Sequence, residues 1–434
     1  MFPAPLFLVL LIVTTPVILI FDGPIIHGLV TAAAAVSLAI VALRIRPGEA
    51  GFLSTVIRPM AIIAAIPALW MLVQVLPLKT VGLANPIWES AAAALGRPLA
   101  GSISIDPGAT LISLARYLSA AAIAFVAAAV AIDRRRAEWV LFALTAATTL
   151  IALMVLAAGF GGFTFLGNSD GGPAANAATE SAGLGVILAA AAAFHTLERG
   201  KTQGTDQGRS AAWFWLAFVC LVAVAICSLA VIEGATSQAY FAVTCGTATL
   251  AVAVGIRRFA LGPWGYSAIV SAASVVAITA VVLQPGTRTV DLTLAFATHA
   301  PAPLIAVTQR VLTETGWAGT GAGTFAAVLP IYRDIDALAT GPIAPTAVAA
   351  IAVEMGRPFL WVILVAAIAL AVTLLRGALR RGRDSSYSTA GASCVVAITL
   401  LAFGNAALFS TPILMIAAVV VGIGIAQSKS RSIR

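Results

Sequence analysis

The chain has 434 residues, of which 61% are hydrophobic and only 10% are charged, and its formal net charge is +8. Soluble domains carry about 25% charged residues, so this composition excludes an ordinary water-soluble fold. Apolar runs recur along the chain, for example at 111–132 and 239–256, and a helix needs roughly 20 such residues to cross a bilayer. The sequence therefore predicts an all-α, polytopic membrane protein.

Hydropathy predicts about twelve spans, with both termini on the cytoplasmic side. The approximate spans are 4–21, 25–43, 57–77, 110–132, 139–159, 179–197, 211–231, 238–256, 264–283, 357–375, 390–408 and 411–427. Eighteen basic and six acidic residues then face the cytoplasm, a net charge of +12, while seven basic and eleven acidic residues on the other side sum to −4. This asymmetry follows the positive-inside rule, which explains the basic excess without a nucleic-acid partner.

Cysteines and histidines give no sign of a metal site or a disulfide framework. All four cysteines lie inside predicted spans, where a cysteine acts as a small apolar side chain: Cys220, Cys227, Cys245 and Cys394. The three histidines are scattered along the chain, so they form no metal-binding pattern. We therefore predict that the cysteines and histidines form no metal site.

Residues 1–434 are predicted to form one integral membrane domain with three long segments on the outside, at 78–109, 160–178 and 284–356. The third segment separates predicted helices 9 and 10 and is the longest polar stretch. Long loops are often functional. Within it, APLIAVTQRVLTET has helical periodicity, and Gly316 follows it as a candidate C′ residue of a left-handed helix cap.

The stretch TGWAGTGAGTF (315–325) comes next and has three alternating glycines. A Walker-type phosphate loop requires Lys followed by Ser or Thr after the last glycine, and Phe325 stands close behind it instead. A dinucleotide site requires a strand before the glycines and a helix after them, and no such strand is predicted. A helix cap followed by a turn remains as a purely structural interpretation.

The wider window 316–334, GWAGTGAGTFAAVLPIYRD, resembles a signature of the O-antigen ligase and polymerase superfamily of membrane glycosyltransferases. That signature reads Gly-x-Gly-x-Gly-Thr/Asn-Phe, followed by a proline and a tyrosine. The matching residues here are Gly319, Gly321, Gly323, Thr324, Phe325, Pro330 and Tyr332. Two further parts resemble the family in order and spacing: LVQVLPL (72–78) leading to ISIDPGATLISLARYLS (103–119), and VEMG (353–356).

The resemblance implies transfer of a glycan from a polyprenyl-diphosphate lipid to a lipid or glycan acceptor, for lipopolysaccharide or exopolysaccharide assembly in a bacterial inner membrane. It makes the segment 284–356 periplasmic. No cofactor is implied, because the diphosphate itself activates the donor. The glycines allow tight backbone turns, and their N–H groups are expected to face an anionic headgroup.

Sugar transfer needs cations that neutralise the leaving diphosphate and a base or positioning group at the acceptor hydroxyl. Several positions that supply these groups in the family hold other residues here. Gln238 stands where the family has an arginine, and Pro345 stands where it has a histidine. The stretch NAATESAGLG (176–185) also lacks the histidine found in similar family stretches.

The remaining charged residues on the outside supply the candidates for a rebuilt site. Arg116, Arg288 and Arg310 are the candidates for binding the diphosphate; their alternative roles are a snorkelling arginine for Arg116 and solvated surface charges for the other two. His299 is the candidate base, or else an ordinary loop histidine. Glu354 is the candidate for orienting an acceptor or an arginine, or else a charge that complements a helix dipole.

Three functions remain open at this point. The first is a glycosyltransferase with a rebuilt site, and the second is a catalytically degenerate relative that acts as a non-enzymatic partner in polysaccharide assembly. The third is a transporter, although transporter folds often have internal repeats and charges at the membrane midplane. The sequence shows neither feature clearly.

Overall fold

The computed structural model describes residues 3–44, 47–77, 82–160, 172–202, 207–258, 291–297, 300–333, 343–380 and 385–428. Within these ranges the chain is largely helical and forms no β-strand, which confirms the all-α prediction for this part of the protein. The helices are α1 (Pro3–Val13), α2 (Thr15–Ile20), α3 (Pro24–Arg44), α4 (Pro47–Val75), α5 (Ile87–Leu95), α6 (Pro107–Val130), α7 (Arg134–Gly159), α8 (Pro173–Thr202), α9 (Gln207–Gly234), α10 (Ser237–Arg258), α11 (Ala302–Glu314), α12 (Phe325–Tyr332), α13 (Ala347–Glu354), α14 (Arg357–Arg380), α15 (Ser385–Leu401) and α16 (Thr411–Ser428).

Nine of the described helices are long and apolar enough to cross a membrane: α3, α4, α6, α7, α8, α9, α10, α14 and α16. Two shorter apolar stretches, Ala4–Ile20 and Ser385–Leu401, accompany them. The predicted span 264–283 lies outside the described residues. These lengths and compositions are those of a membrane-spanning helical protein, and each of the other predicted spans overlaps a helix.

Two predicted spans have different bounds in the structure. The first, 4–21, divides into α1 and α2 beside Pro16. The predicted span 390–408 is α15, which begins at Ser385 and ends at Leu401. Its first turns contain serine and threonine, and these side chains are buried against other helices. Hydropathy alone missed this start because it cannot distinguish a polar side chain in the bundle interior from one in water.

Aspartate caps set the starts of two long helices. Asp106 precedes α6, and its side chain accepts a hydrogen bond from Ala109 N at 3.0 Å, with Pro107 at the first helical position. Asp133 precedes α7 and accepts from Arg135 N at 3.0 Å. Both arrangements satisfy a backbone donor that a helix start leaves unpaired. The cap at Asp106 also fixes the entry of α6 beside the segment 102–105.

Small residues bring α8 into close contact with its neighbours. A side-chain carbon added at Gly183 would lie 2.6 Å from Val243 Cγ2, and one added at Gly246 would lie 2.5 Å from Ile187 Cδ1. Close helix approach through small residues is the usual packing solution in membranes, where apolar burial gives little driving force. From the first contact to the second, the residue numbers increase along both helices, so α8 and α10 run parallel with position 183 beside 243 and position 187 beside 246.

A buried polar network joins α7, α8 and α15 near the C-terminal end of α8. Glu138 accepts a hydrogen bond from Arg199 Nη1 at 2.9 Å, and its other oxygen lies 3.3 Å from His195 Nε2. His195 Nδ1 lies 3.1 Å from Ser386 Oγ, and Tyr387 OH lies 3.2 Å from His195 Nε2. Because a buried charge is costly unless it is paired, these contacts make the burial of Glu138 tolerable.

The described part of the segment 284–356 is folded into short helices. Helices α11, α12 and α13 pack around a second hydrophobic cluster that includes Val311, Leu329 and Val353. The helix predicted from APLIAVTQRVLTET is confirmed as α11. The left-handed cap predicted at Gly316 is wrong: Gly316 lacks a positive φ, and α11 ends at an extended Thr315 whose hydroxyl donates to Val311 O at 2.6 Å.

Candidate functional site

The glycine segment 316–325 connects α11 to α12 through a compact turn with unusual backbone angles. Gly319, Gly321 and Gly323 have φ values of +78°, +108° and +79°, and Gly356, between α13 and α14, has φ +90°. Residues other than glycine are strained at such φ values, because their Cβ atom collides with the backbone. The alternating glycines of the sequence are therefore required by the backbone conformation itself.

Close packing excludes a side chain at these positions as well. A Cβ at Gly321 would overlap the Ser104 side chain and lie 2.9 Å from Ser104 Cα. A Cβ at Gly319 would lie 2.7 Å from Gly356 N. The obstacles include backbone atoms, which cannot rotate away. The segment thus presses directly on residues around 104 and on residues 354–356.

Gln74, near the end of α4, links these parts. Its side chain is fully buried. Its Nε2 donates to Glu354 O at 2.8 Å and to Ala318 O at 3.1 Å, and its Oε1 accepts from Ala322 N at 3.2 Å. Its backbone carbonyl also accepts from Ser104 N at 2.9 Å. One residue therefore bonds to each of the three segments that meet here.

The segment around Ser104 completes the unit. Ile105 N donates to Thr320 O at 2.9 Å, which joins it to the glycine turn. Ser104 Oγ lies 2.8 Å from Thr110 Oγ1 and accepts from Asp106 N at 3.1 Å, so it also orders the start of α6. We call residues 74, 102–110, 316–325 and 353–356 the glycine unit.

All backbone N–H groups from residue 319 to 325 are used within the protein. Their acceptors are Gly316 O, Val353 O, Glu354 O, Gln74 Oε1, Gly321 O and the Glu354 carboxylate, which accepts from both Gly323 N and Phe325 N. The prediction that these N–H groups face an anionic headgroup is therefore wrong, because each of them already bonds to an acceptor within the protein. Turns with successive N–H groups of this kind hold anions, and here the anion is the protein's own carboxylate.

Glu354, which was predicted to orient an acceptor or an arginine, instead bonds to the glycine turn through its carboxylate. Burial raises the pKa of Glu354 to about 7, while the hydrogen bonds from Gly323 and Phe325 favour the ionised form. The side chain orders the glycine turn, and the structure shows no arginine bonded to it within the described residues.

Aromatic rings cover the glycine unit on the α4 side. Trp70 Nε1 donates to Met355 O at 3.1 Å. The Trp70 ring lies 5.9 Å from Phe359 and 6.3 Å from Trp317, measured between ring centroids. Trp317 is 61% exposed although it belongs to the turn. The exposed indole of Trp317 therefore lies next to the buried hydrogen bonds of the glycine unit.

Arg116 lies on α6 beside a different group of residues. Its Nη2 is 2.8 Å from His27 Nε2, and the same nitrogen of His27 is 2.5 Å from Asp22 Oδ1. Arg116 and His27 line a cavity of about 20 Å³, which is large enough for a single water molecule. Thr411 also lines it, and its hydroxyl has no hydrogen-bond partner within the described protein.

The other predicted site residues occupy separate positions. Arg310 lies on the exposed side of α11, and Phe325 is buried in the second hydrophobic cluster. Tyr332 ends α12, where burial and a hydrogen bond with Glu314 raise its pKa. His299 and Arg288 lie outside the described residues. The structure thus brings Glu354 together with the three motif glycines. Arg116 and Arg310 lie elsewhere, Arg116 beside His27 and Arg310 on the exposed side of α11.

A second polar junction surrounds Asn405, in the turn after α15. Its carbonyl accepts from Ala347 N at 2.9 Å, directly after Pro345 and Thr346 at the start of α13. Its side chain is hydrogen bonded to Glu180 of α8. The neighbouring Gly404 leaves room for Gln238, whose Oε1 would lie 2.9 Å from an added Cβ. Gln238 and Pro345, which stand where the resembled family has an arginine and a histidine, therefore lie near the same turn.

Several of these residues were missed as site candidates in the sequence. Gln74, Ser104 and Asn405 act through contacts with residues far away in the chain. The available signal was a polar residue in an apolar stretch, as for Gln74 and Glu180, because such residues face the interior of a bundle. That signal identifies a buried position but does not name its partner.

No protein-family model matches this chain, and comparison with curated proteins gives no match. The resemblance to the O-antigen ligase and polymerase superfamily consequently depends on the motifs quoted above and on where they lie.

Proposed function

We propose that this protein acts in cell-surface polysaccharide assembly as a membrane glycosyltransferase, which moves a glycan from a polyprenyl-diphosphate lipid to a lipid or glycan acceptor. One observation carries the proposal. The three stretches that resemble the O-antigen ligase and polymerase superfamily are far apart in the chain, yet Gln74, Ser104, Gly321 and Glu354 contact one another in a single unit. Motifs that resembled the family by chance would have no reason to meet.

We further propose twelve membrane helices in a bacterial inner membrane, with cytoplasmic termini and the glycine unit facing the periplasm. The basis is the charge asymmetry of the sequence and the nine described helices of membrane length. In this arrangement α12 faces outward, and the end of α14 faces the cytoplasm.

Cysteine labelling tests this orientation. Ile331 is 63% exposed and lies on α12, whereas Arg380 is exposed at the end of α14. In a background without the four native cysteines, Ile331→Cys should react with a membrane-impermeant maleimide on intact cells, and Arg380→Cys should react only after lysis. Ser385 is unsuitable as a reporter because it is fully buried. The opposite labelling pattern would reject the proposed orientation.

A transfer assay tests the function. Purified protein is given a polyprenyl-diphosphate-linked saccharide and an acceptor glycan or lipid, and the joined product is measured. Removing one contact to a developing charge typically lowers a rate by about 10²–10³. Arg116→Ala should lower transfer by about that factor, because it removes the half-buried guanidinium proposed to neutralise the leaving diphosphate. Arg97→Ala is the matched control, since Arg97 is exposed and should leave transfer unchanged.

The second candidate is a non-enzymatic partner in the same assembly process. Two observations favour it. Arg116, Arg310 and Glu354 do not lie together in one site, and the Glu354 carboxylate is already bonded to the glycine turn. Undetectable transfer by wild-type protein, together with altered polysaccharide in cells that lack the chain, would replace the enzyme by this partner role.

A further inference from the structure

Glu180 is a buried carboxylate with an unused oxygen. It lies on α8, about two helical turns after Pro173, and is only 2% exposed. Its Oε1 has no hydrogen-bond partner within the described protein. Buried polar atoms in folded proteins are nearly always satisfied by protein, water or ligand, so an orphaned carboxylate oxygen calls for an explanation.

The turn after α15 orients this carboxylate. The Asn405 side chain is hydrogen bonded to Glu180, and Asn405 Oδ1 accepts from Ala407 N at 2.7 Å, which sets the amide orientation. The amide nitrogen therefore donates to Glu180. Residues 403–406 of this turn are partly exposed, so Glu180 lies directly beneath a surface turn.

Helix spacing and register place two further amide side chains near Glu180. Asn176 precedes it by one helical turn and is partly exposed, which places both on one face of α8. The contacts of Gly183 with Val243 and of Ile187 with Gly246 set a parallel register that brings Glu180 level with the region of Gln238. Amide and carboxylate groups of this kind suit the hydroxyls of a saccharide, because they both donate and accept hydrogen bonds.

The Glu180 position is connected to the glycine unit by one short helix. Asn405 O accepts from Ala347 N at the start of α13, and α13 ends at Glu354, whose carboxylate holds the glycine turn. Eight helical residues separate the ends by about 12 Å. A bound saccharide spanning a few sugar rings would reach from one end of α13 to the other.

Three other carboxylates described at this end of the bundle already have partners. Asp106 caps α6, Asp291 accepts from Arg357 at 2.8 Å, and Glu354 accepts from the glycine turn. Glu180 forms no ion pair within the described residues, and its Oε1 remains available. Among these four carboxylates, Glu180 is therefore the one with a buried oxygen left to bond a ligand.

We infer that Glu180 is the general base of the glycan transfer proposed above and that the side chains of Asn176, Gln238 and Asn405 form the surrounding hydroxyl-binding subsite; the inference rests on that proposed function. The acceptor hydroxyl oxygen bonds to the anomeric carbon of the donor sugar, and the bond from that carbon to the diphosphate oxygen breaks. The acceptor proton moves to Glu180 Oε1. The polyprenyl diphosphate leaves with the bonding electron pair.

The test compares Glu180→Gln with Glu233→Gln in the transfer assay on purified full-length protein. Glu233, at the end of α9, is an exposed carboxylate and serves as the matched control. Glu180→Gln preserves shape and removes the proton acceptor, so kcat should fall by at least about 10² while the KM for the lipid donor stays unchanged. Its melting temperature should not fall, because a neutral amide is easier to bury than a carboxylate.

The outcomes separate this inference from the proposed function. An active wild type with a nearly fully active Glu180→Gln variant would overturn the role of Glu180 and leave the transfer function standing. A wild type inactive with every donor would overturn both. If Glu180→Gln fails to fold, Glu180→Asp decides: a folded aspartate variant with a clearly lower kcat supports the base, whereas wild-type kcat rejects it, because the shorter side chain retracts the proton acceptor.

Discussion

Replacing Gly321 by valine is expected to abolish the proposed glycan transfer while leaving membrane insertion intact. Gly321 has φ +108°, and a Cβ there would lie 2.7 Å from Ser104 Cβ and 2.9 Å from Ser104 Cα. The backbone strain alone is worth about 1–3 kcal/mol, and the steric overlap adds to it. Relief requires the glycine turn to move away from residues 104 and 105, which breaks the bond from Ile105 N to Thr320 O.

Gly316→Val provides a control in the same segment. Gly316 has no positive φ, and a Cβ there meets no atom within 4 Å. Both variants are compared for membrane insertion, melting temperature and transfer from the polyprenyl-diphosphate donor. If Gly321→Val transfers as well as Gly316→Val, the turn is not required in the conformation described here, and the glycine unit loses its functional assignment.

Replacing Gln74 by leucine is expected to loosen the glycine unit locally without unfolding the bundle. The change removes the acceptor of Ala322 N and the donor to Ala318 O, both inside the protein. A buried backbone group left without a partner costs about 1–3 kcal/mol. Local opening around residue 322 should therefore become about 5 to 150 times more frequent, as hydrogen–deuterium exchange of peptides covering 316–325 would show.

Gln309→Leu is the matched control for this exchange measurement. Gln309 lies on α11, is partly exposed and belongs to a neighbouring helix outside the glycine unit. Its replacement should leave exchange at 316–325 unchanged. Equal protection of these peptides in Gln74→Leu and wild type would mean that the glycine turn is held by its own backbone contacts rather than by Gln74.

The membrane helices were largely readable from the chain because the signal for them is local. A run of apolar residues such as 111–132 needs no knowledge of its neighbours to be recognised as a helix of membrane length, and α6 occupies that run. Asp106 and Pro107 likewise mark the start of α6 by themselves, since the cap bonds to Ala109 only three residues away. The α11 helix within the long outside segment was predicted on the same basis.

The composition and order of residues determined that this protein is helical, apolar and punctuated by glycines that need positive φ. Only the tertiary structure decided what those features contact. Gln74 and Glu354 are 280 positions apart, and nothing in the local pattern of either specifies a bond between them. The same holds for Glu180 and Asn405. Periodicity records which way a side chain faces, whereas the partner that meets it depends on helix packing across the whole bundle.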